Sequence, residues 1–401
     1  IRSMDRAAAV KSGMLLMIDR EIDDAFVAMV KGHSLRPELI RERGKELTVV
    51  YTPLHGAGRA PVERVLGELG IRVLTVPEQR EPDGNFPTVD YPNPEEASAL
   101  KLALDLGKRE AADLVLGTDP DSDRLGIAVP GARDFVLITG NQLGALLADY
   151  IFSSLEELGR MPERPAFVKT IVTTNLQRRI AEAHGVAVYD VLTGFKYIAD
   201  MMKRFETSGE HYLFGAEESY GFLVETEVRD KDAVSAALLA TEMALYHRSQ
   251  GRTVLDALAR LYLKYGYFEE LLISRGFSGE SGLTKMKQLM DRLRNDPPRG
   301  FGGKPVDRIK DYQSGSTTTF STSGSPAVTR DIDLPTSNVL QFVLADETIV
   351  TARPSGTEPK IKFYASACTE PGREPAGAKA EVGAKMRAIE AEIDAIIESV
   401  G

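Results

Sequence analysis

The feature that most constrains the fold is a regular alternation of short apolar strands and amphipathic helices between residues 47 and 215. The first predicted strand spans residues 47–51 and the last spans residues 211–215. Strands that alternate with helices form parallel sheets joined by right-handed crossovers. We therefore expect an α/β protein with two similar βα-layered domains, built on mixed or parallel sheets, and a smaller C-terminal α+β domain.

The pattern changes near residue 274. Beyond it, the sequence predicts a polar helix over 283–294, a hairpin over 339–352 and a closing amphipathic helix over 378–400. The Ser/Thr/Gly-rich run 314–325 predicts an exposed loop. These elements are typical of an α+β domain.

Charge and cysteine content narrow the class of protein. The 401 residues carry a net charge of −10, which argues against broad binding to nucleic acid or an anionic membrane but allows a local pocket for a phosphate ester. Cys368 is the only cysteine, so an intramolecular disulfide cannot form. A reducing, cytoplasmic compartment is the simplest interpretation. No stretch of the sequence approaches the roughly 20 apolar residues that cross a bilayer.

Three carboxylates occupy alternate positions in the segment Gly-Thr-Asp-Pro-Asp-Ser-Asp-Arg, residues 117–124. The apolar residues on both sides predict a strand, a tight loop and a second strand. Asp119, Asp121 and Asp123 would then lie at the carboxyl end of a sheet strand, where ligands bind in α/β proteins. Crowded carboxylates repel one another unless a cation lies among them, and hard oxygen ligands suit Mg²⁺.

Two other interpretations compete with this metal loop. Asp, Pro and Ser are turn formers, so the segment could be a solvated turn. The spacing also matches the start of an EF-hand, but Arg124 occupies the position of its glycine and Pro130 that of its bidentate glutamate. The EF-hand is excluded, whereas the solvated turn stays open.

Two later loops carry groups suited to a sugar phosphate. Residues 353–360, Arg-Pro-Ser-Gly-Thr-Glu-Pro-Lys, offer a guanidinium, hydroxyls and free backbone N–H groups for phosphate oxygens. Residues 215–221, Gly-Ala-Glu-Glu-Ser-Tyr-Gly, offer carboxylates and a hydroxyl for sugar hydroxyls. Each loop taken alone would more often be a polar surface turn. Lys169, at the end of a predicted strand, is a candidate general acid/base or phosphate contact, with a solvated side chain as the alternative.

Taken together, in this order and on this βα background, these segments resemble the α-D-phosphohexomutase family from about residue 45 onward. Residues 118–124 resemble its Mg²⁺ loop, residues 215–221 its sugar-binding loop and residues 353–360 its phosphate-binding loop. The forms Glu-Glu-Ser-Tyr-Gly and Thr-Pro-Leu-His-Gly resemble the α-phosphoglucomutase branch and related phosphopentomutases. Glucose phosphates are therefore the expected substrates, with pentose or mannose phosphates as alternatives.

The resemblance implies interconversion of glucose 1-phosphate and glucose 6-phosphate through a phosphoserine and a bisphosphate, with Mg²⁺ and glucose 1,6-bisphosphate as cofactors. We expect a monomer or homodimer whose partner is a small sugar phosphate. The metal ligands would be Asp119, Asp121 and Asp123, and the transferred phosphate would lie beside Arg124 and Lys169, the candidate acid/base. The sugar would contact Thr193, Gly194, Lys196, Glu217, Ser219 and Lys231. The non-reacting phosphate would contact Arg353, Ser355, Gly356, Thr357 and Lys362.

The resemblance also divides the chain into four parts. They are the tail of a truncated N-terminal domain with a linker (1–43), a metal-binding α/β domain (44–135), a sugar-binding α/β domain (136–272) and a C-terminal α+β phosphate-binding domain (273–401).

One departure from the family concerns the nucleophile. The phosphoserine segment Thr-Ala-Ser-His-Asn-Pro does not occur in the 401 residues, and the one adjacent Ser/His pair, His33-Ser34, is in reversed order. We therefore expect a truncated mutase that is inactive without its N-terminal domain. A non-catalytic sugar-phosphate-binding module is an alternative. A phosphatase with an Asp nucleophile at Asp119 or Asp121 is a weaker one, because such enzymes lack the two downstream loops.

Overall fold

The computed structural model describes residues 3–224, 226–277, 282–320, 325–355 and 358–399. The chain divides into two compact units. Unit 1 combines Ile1–Ile138 with Leu223–Gln250, and unit 2 combines Thr139–Phe222 with Gly251–Gly401. Each unit is therefore built from two separate stretches of sequence.

The helices and strands up to residue 250 are, in chain order, α1 (Arg6–Lys11), α2 (Asp19–Gly32), α3 (Pro37–Arg43), β1 (Thr48–Thr52), α4 (Arg59–Glu68), β2 (Arg72–Thr75), α5 (Lys101–Arg109), β3 (Leu114–Thr118), β4 (Leu125–Pro130), β5 (Phe135–Ile138), α6 (Gly140–Glu157), β6 (Pro165–Thr170), α7 (Asn175–Ala183), β7 (Ala187–Val191), α8 (Phe195–Ser208), β8 (His211–Ala216), β9 (Phe222–Leu223) and α9 (Ala233–Ser249). Those that follow are α10 (Val254–Tyr265), β10 (Phe268–Gly276), α11 (Gly282–Asn295), β11 (Gly300–Phe301), β12 (Lys304–Asp311), β13 (Ser316–Thr319), β14 (Ala327–Thr329), β15 (Leu340–Leu344), β16 (Ile349–Pro354), β17 (Lys360–Cys368) and α12 (Pro375–Glu398).

Unit 1 is organised around a five-stranded sheet in the order β2-β1-β3-β4-β5. β1 runs parallel to β2 and β3, whereas β4 runs antiparallel to β3 and β5. Every residue of β3 is buried, as expected for a strand covered on both faces. Val50 of β1 and Val115 of β3 pack into one core cluster with Ala103 of α5.

The segment Leu223–Gln250 returns to unit 1 and contributes α9. This helix packs on α2, α3, α4 and β3, and 14 of its 17 residues are buried, so it is covered on nearly all sides. The Asp232 carboxylate caps it by accepting hydrogen bonds from the N–H groups of Val234 and Ser235. The domain ranges expected from the sequence are contiguous and do not place Leu223–Gln250 with unit 1. Their boundaries stay a prediction.

Unit 2 begins with a four-stranded sheet in the order β7-β6-β8-β9, in which β6 runs parallel to β7 and β8. Stacked rings form its core: Phe167 of β6 lies 5.7 Å from Phe214 of β8, measured between ring centroids. α6 starts at a capping box formed by Thr139 and Gln142, which satisfies two otherwise unpaired backbone donors.

The C-terminal part of unit 2 is an antiparallel sheet in the order β10-β17-β16-β15-β12-β13-β14, with α12 packed on β10 and β17. The run 314–325 is not simply an exposed loop, and that prediction is wrong for Ser316–Thr319, which form β13 between β12 and β14. Consecutive threonines favour a strand because they are β-branched, and Thr317 is buried. Residues 321–324 lie outside the described ranges.

The expected fold class is thus confirmed: two α/β sheets with parallel strands, and a separate antiparallel α+β sheet. Among the helices that the structure describes, none is long and apolar enough to cross a bilayer.

Candidate active site

The Asp segment forms the predicted strand, loop and strand in unit 1. β3 and β4 pair antiparallel, with Thr118 opposite Leu125, so Asp119 to Arg124 form the loop between them. The Ser122 N–H donates to the Asp119 carbonyl (3.0 Å), and Ser122 has a positive φ of 61°. This left-handed turn, unusual for a residue other than glycine, reverses the chain beside the carboxyl end of β3.

The three aspartates converge in this loop. Each of Asp119, Asp121 and Asp123 offers a carboxylate oxygen, and these oxygens lie within 4.8 Å of one another. One oxygen of Asp119 also accepts hydrogen bonds from the N–H groups of Asp123 (3.0 Å) and Arg124 (2.9 Å). Burial raises the pKa of the Asp119 carboxyl, and its two acidic neighbours raise it further. Clustered oxygen donors of this type fit Mg²⁺.

Two cations flank the carboxylates. Lys231 Nζ lies 2.9 Å from the Asp123 carboxylate. Arg124 Nε lies 3.7 Å from the Asp119 carboxylate, while another nitrogen of the same guanidinium donates to Glu95 (2.8 Å). The structure thus brings Lys231, which the resemblance assigns to the sugar, next to the aspartates. Glu95, which holds Arg124 in place, was missed by the sequence analysis because its partner lies far away in sequence.

Close packing fixes the loop from a second side. The Ala57 N–H donates to the Pro120 carbonyl (2.8 Å). A Cβ on Gly56 would lie 2.4 Å from Pro120 Cα, far inside van der Waals contact. The Ala233 N–H, at the start of α9, donates to the Ser122 carbonyl (3.0 Å). Glycine is therefore required at position 56 for the chain to approach the loop.

In unit 2, the predicted sugar loop meets the start of α8. Glu217 is 8% exposed, and its carboxylate accepts a hydrogen bond from the Gly194 N–H (2.9 Å). Gly194 has a φ of 116°, a conformation that favours glycine. The structure therefore brings together Glu217, Gly194 and the adjoining Thr193. The Lys196 ammonium lies 5.0 Å from the Tyr197 ring centroid, and Ser219 is half-buried within the same loop as Glu217.

Lys169 lies at the carboxyl end of β6, as predicted, but it is almost completely buried. Its ammonium donates to the carbonyls of Thr173 (3.0 Å) and Thr170 (3.3 Å) and lies 3.1 Å from the Asp190 carboxylate. Burial lowers the pKa of Lys169, and Asp190 partly opposes that effect. The carboxylate that fixes this lysine was not identified from the sequence, because it comes from the neighbouring strand β7.

Glu218 extends this polar network. Its carboxylate accepts hydrogen bonds from the hydroxyls of Thr170 (3.1 Å) and Thr173 (3.3 Å). Burial raises the pKa of Glu218, whereas these hydrogen bonds and the charge of Arg353 lower it. Burial raises the pKa of Tyr364 to about 12, and the charge of Arg353 partly opposes that effect. Glu218 lies within the predicted sugar loop but is not among the predicted site residues.

The predicted phosphate loop joins β16 to β17. Arg353 pairs directly with Lys362 across these strands. The Ser355 N–H donates to the Lys360 carbonyl (2.7 Å), and the Ser355 hydroxyl accepts from the Glu358 N–H (3.3 Å). The other two predicted phosphate contacts, Gly356 and Thr357, lie outside the described residues.

Two sequence profiles match this chain. The first, "Phosphoglucomutase/phosphomannomutase, alpha/beta/alpha domain II", matches residues 24–131 and includes the Asp loop. The second, domain III of the same family, matches residues 139–265 and includes the loop at Glu217. The chain belongs to the phosphoglucomutase/phosphomannomutase family.

Curated relatives in this family include the phosphoglucomutase of Staphylococcus aureus (strain MRSA252), which is 38% identical over 323 residues. The match covers 80% of this chain and 57% of that protein. The phosphoglucomutase of Staphylococcus epidermidis is also 38% identical, with the same coverage. The chain thus spans a little over half the length of these relatives.

Solved structures of the family share the fold. Parafusin, a phosphoglucomutase from Paramecium, superimposes with a TM-score of 0.63 at 16% identity, over 94% of this chain and 62% of that one. A phosphomannomutase from Thermus thermophilus gives a TM-score of 0.60 at 20% identity, over 94% of this chain and 66% of that one. At these identities the likeness concerns the fold alone.

Proposed function

We propose that this chain provides the metal-, sugar- and phosphate-binding parts of a phosphohexomutase that interconverts glucose 1-phosphate and glucose 6-phosphate. The observation that carries the proposal is the cluster of Asp119, Asp121 and Asp123, whose oxygens lie within 4.8 Å. Its support is the 38% identity to phosphoglucomutases over most of the chain. Phosphomannomutase and phosphopentomutase activities are the alternatives within the family.

In this proposal the three aspartates hold Mg²⁺, which when bound would withdraw charge from phosphoryl oxygens. Arg124 binds the phosphoryl group that is transferred, because a guanidinium grips two phosphate oxygens at once. Its ion pair with Glu95 (2.8 Å) holds it in orientation before substrate arrives. Lys231, paired with Asp123 (2.9 Å), adds a second positive charge beside the aspartates.

The sugar ring is held by the loops around Glu217 and Gly194. The Glu217 carboxylate and the Ser219 hydroxyl bind sugar hydroxyls that are equivalent in the two orientations of a bisphosphate. The hydrogen bond from Gly194 to Glu217 (2.9 Å) fixes the carboxylate, and Thr193 and Lys196 complete this part of the pocket. A site built around hydroxyl partners rejects sugars that leave its polar groups unpaired.

The phosphate that does not react is bound by Arg353, Ser355 and Lys362, with Gly356 and Thr357. The cross-strand pairing of Arg353 with Lys362 places two cations on one end of the sheet. Glucose 1,6-bisphosphate would present its non-reacting phosphate to these residues.

Lys169 is the proposed general acid/base. Burial lowers its pKa, and a lysine becomes more able to exchange a proton near neutral pH as its pKa falls. Asp190, 3.1 Å away, holds the ammonium in position. The proton would pass between Lys169 Nζ and the sugar hydroxyl that gains or loses the phosphoryl group.

The nucleophile in this family is a phosphoserine, and its Thr-Ala-Ser-His-Asn-Pro segment does not occur in the 401 residues. We propose that these residues bind the sugar phosphates without converting them. The test is calorimetric binding of glucose 1-phosphate and glucose 1,6-bisphosphate with Mg²⁺, alongside an assay for glucose 6-phosphate. The same assay on a form that also carries the family's phosphoserine domain measures the complete reaction.

We expect binding without turnover for the 401 residues and turnover for the extended form. Turnover by the 401 residues would contradict the absence of a nucleophile, and no binding of either ligand would contradict the sugar-phosphate site. If mannose or ribose phosphates bind more tightly than glucose phosphates, the substrate is one of the two alternatives.

A further inference from the structure

Unit 2 contains a cleft of about 390 Å³ that the three family motifs do not explain. It lies between α7, the ends of β6 and β7, and the strands β12, β15 and β16. This volume is in the range of small-molecule sites, roughly 300–1,000 Å³. The charged side chains that line it are the cations Lys169, Arg178, Arg179, Arg308 and Lys310 and the carboxylates Glu182, Asp190 and Glu347.

The three carboxylates form ion pairs with cations of α7 and β6. Asp190 lies 3.1 Å from Lys169 and 2.6 Å from Arg178, and Arg178 also reaches Glu182 (3.3 Å). Glu347 lies 2.6 Å from Arg179, whose guanidinium also donates to the Tyr265 carbonyl (2.6 Å). The excess positive charge of the cleft therefore falls on the two β12 residues.

Backbone geometry directs these two residues, Arg308 and Lys310, into the cleft. The pairing of β12 with β15 shifts register between Val306 and Arg308, and such a bulge turns the following side chains to a different face. Arg308, Lys310 and Tyr312 then line the cleft at alternate positions, while the intervening Ile309 is buried. β12 and the residue after it thus present two cations and a tyrosine to the cleft.

Hydrogen bonds connect the side chains of the wall behind these cations. The Tyr312 hydroxyl donates to the Gln341 side chain (2.6 Å), and the Gln341 amide donates to the Ile171 carbonyl (2.8 Å). Arg308 has an ion pair with Asp307 (3.0 Å), but that carboxylate does not line the cleft. Charges that converge in a cleft with fixed walls concentrate a positive potential and attract anions.

The cleft differs from the proposed substrate pocket. Glu217, Gly194 and Arg353 are not among its lining residues. Ile171 and Tyr312, which do line it, belong to an apolar cluster that also contains Tyr364. Lys169, at the floor of the cleft, is the residue that the two regions share.

We propose that this cleft is a second binding site, which takes a small phosphate-bearing anion with at least two negative charges. Arg308 and Lys310 are not paired with any carboxylate that lines the cleft, and their two positive charges match the charge of such a dianion. Arg308 supplies a planar guanidinium that can donate two hydrogen bonds to one phosphate, and Lys310 supplies an ammonium on a flexible side chain. Both groups are suited to phosphate oxygens. Direct binding tests this site, so the outcome does not depend on the proposed mutase activity.

The test uses calorimetric titration of the 401-residue chain with pyrophosphate, without added divalent metal and at constant ionic strength. The Arg308→Gln/Lys310→Gln double variant is compared with Lys287→Gln/Lys304→Gln, which removes the same charge from exposed positions, one of them on β12. We expect the first pair to weaken binding at least tenfold and the second pair to change it less than twofold. Urea unfolding of each variant verifies that it is folded.

Equal weakening by both pairs would show non-specific attraction and overturn the proposal, as would the absence of binding to the parent chain. Arg353→Gln tests whether pyrophosphate binds in the substrate pocket instead. If Arg353→Gln loses pyrophosphate binding and Arg308→Gln/Lys310→Gln retains it, the anion binds at the β16–β17 loop and the proposal is overturned. Citrate serves as the carboxylate probe. Binding of citrate as tight as that of pyrophosphate contradicts the assignment to phosphate.

Discussion

The ammonium of Lys169 lies 3.1 Å from the carboxylate of Asp190, on adjacent parallel strands of unit 2. Lys169 is 1% exposed. Burial disfavours its charged form and lowers its pKa, while Asp190 raises that pKa. Burial alone would raise the pKa of Asp190, but Lys169 and Arg178 lower it below its ordinary value. The two charges therefore depend on each other.

Removal of both members of this pair should cost less stability than the two single removals added together. Asp190→Asn leaves the lysine without its carboxylate, and we expect a loss of about 1–3 kcal/mol of unfolding free energy. In the Asp190→Asn/Lys169→Met double variant the loss should be smaller than the sum of the two single losses. Urea unfolding of all four proteins measures the coupling, and strictly additive losses would contradict it.

Gly56 should be intolerant of a side chain. In Gly56→Ala the new Cβ would meet the backbone of Pro120 at 2.4 Å, so the Asp loop must move. We expect a loss of about 1–3 kcal/mol together with weaker metal binding. Gly67→Ala is the matched control, because no atom lies within 4 Å of its new Cβ and the position is inside α4. That control should gain about 0.5–1 kcal/mol, and a similar loss in both variants would refute the steric explanation.

The Asp loop should bind a divalent cation in the 401-residue chain. Asp121→Asn removes one charged ligand from the exposed side of the cluster, and we expect Mn²⁺ affinity to fall about tenfold or more, because affinity depends on the number of charged ligands. Asp105→Asn on α5 removes the same charge outside the loop and should leave the affinity unchanged. Electron paramagnetic resonance of free Mn²⁺ measures both. Equal affinities in parent and Asp121→Asn would exclude this residue as a ligand.

Glu270 should make stability decrease with rising pH. Burial raises the pKa of this β10 carboxyl from 4.5 to about 7. Between these values the folded protein holds a proton that the unfolded chain has released, so this group favours the folded state below pH 4.5 and loses its contribution as pH rises towards 7. The slope is at most about 1.4 kcal/mol per pH unit.

Glu270→Gln isolates this contribution, because the amide cannot ionise and can still accept a hydrogen bond from the Ser366 hydroxyl (3.3 Å in the parent). Urea unfolding at several pH values between 5 and 7.5 should show a shallower decline in the variant. Parallel pH profiles for variant and parent would mean that Glu270 keeps an ordinary pKa.

Much of the fold follows from local pattern. The alternation of apolar strands and helices predicts the parallel part of both α/β sheets, and the apolar runs around residues 119–124 predict the turn that gathers the aspartates. β13 could not be predicted in the same way. A Ser/Thr/Gly-rich run is typical of a loop, but edge pairing with β12 and β14 gives its threonines a place in a sheet.

The missed parts of the candidate site all depend on long-range contacts. Asp190 acts on Lys169 only because β7 and β6 are adjacent, and Glu95, which belongs to no helix or strand, acts on Arg124 from 29 residues away. The importance of Gly56 depends on its approach to Pro120. Hydrophobic periodicity does not report such neighbours, because it describes one element at a time.

The chain passes between its units after Ile138, after Phe222 and after Gln250. No single cut in the polypeptide can therefore release either unit intact. A stop codon between positions 223 and 232 would leave the Asp segment translated but without α9, whose first turn holds the Ser122 carbonyl. The Asp loop therefore gains this contact with α9 only after residue 233 has been synthesised, and a gene fragment that ends near residue 138 would encode the loop without it.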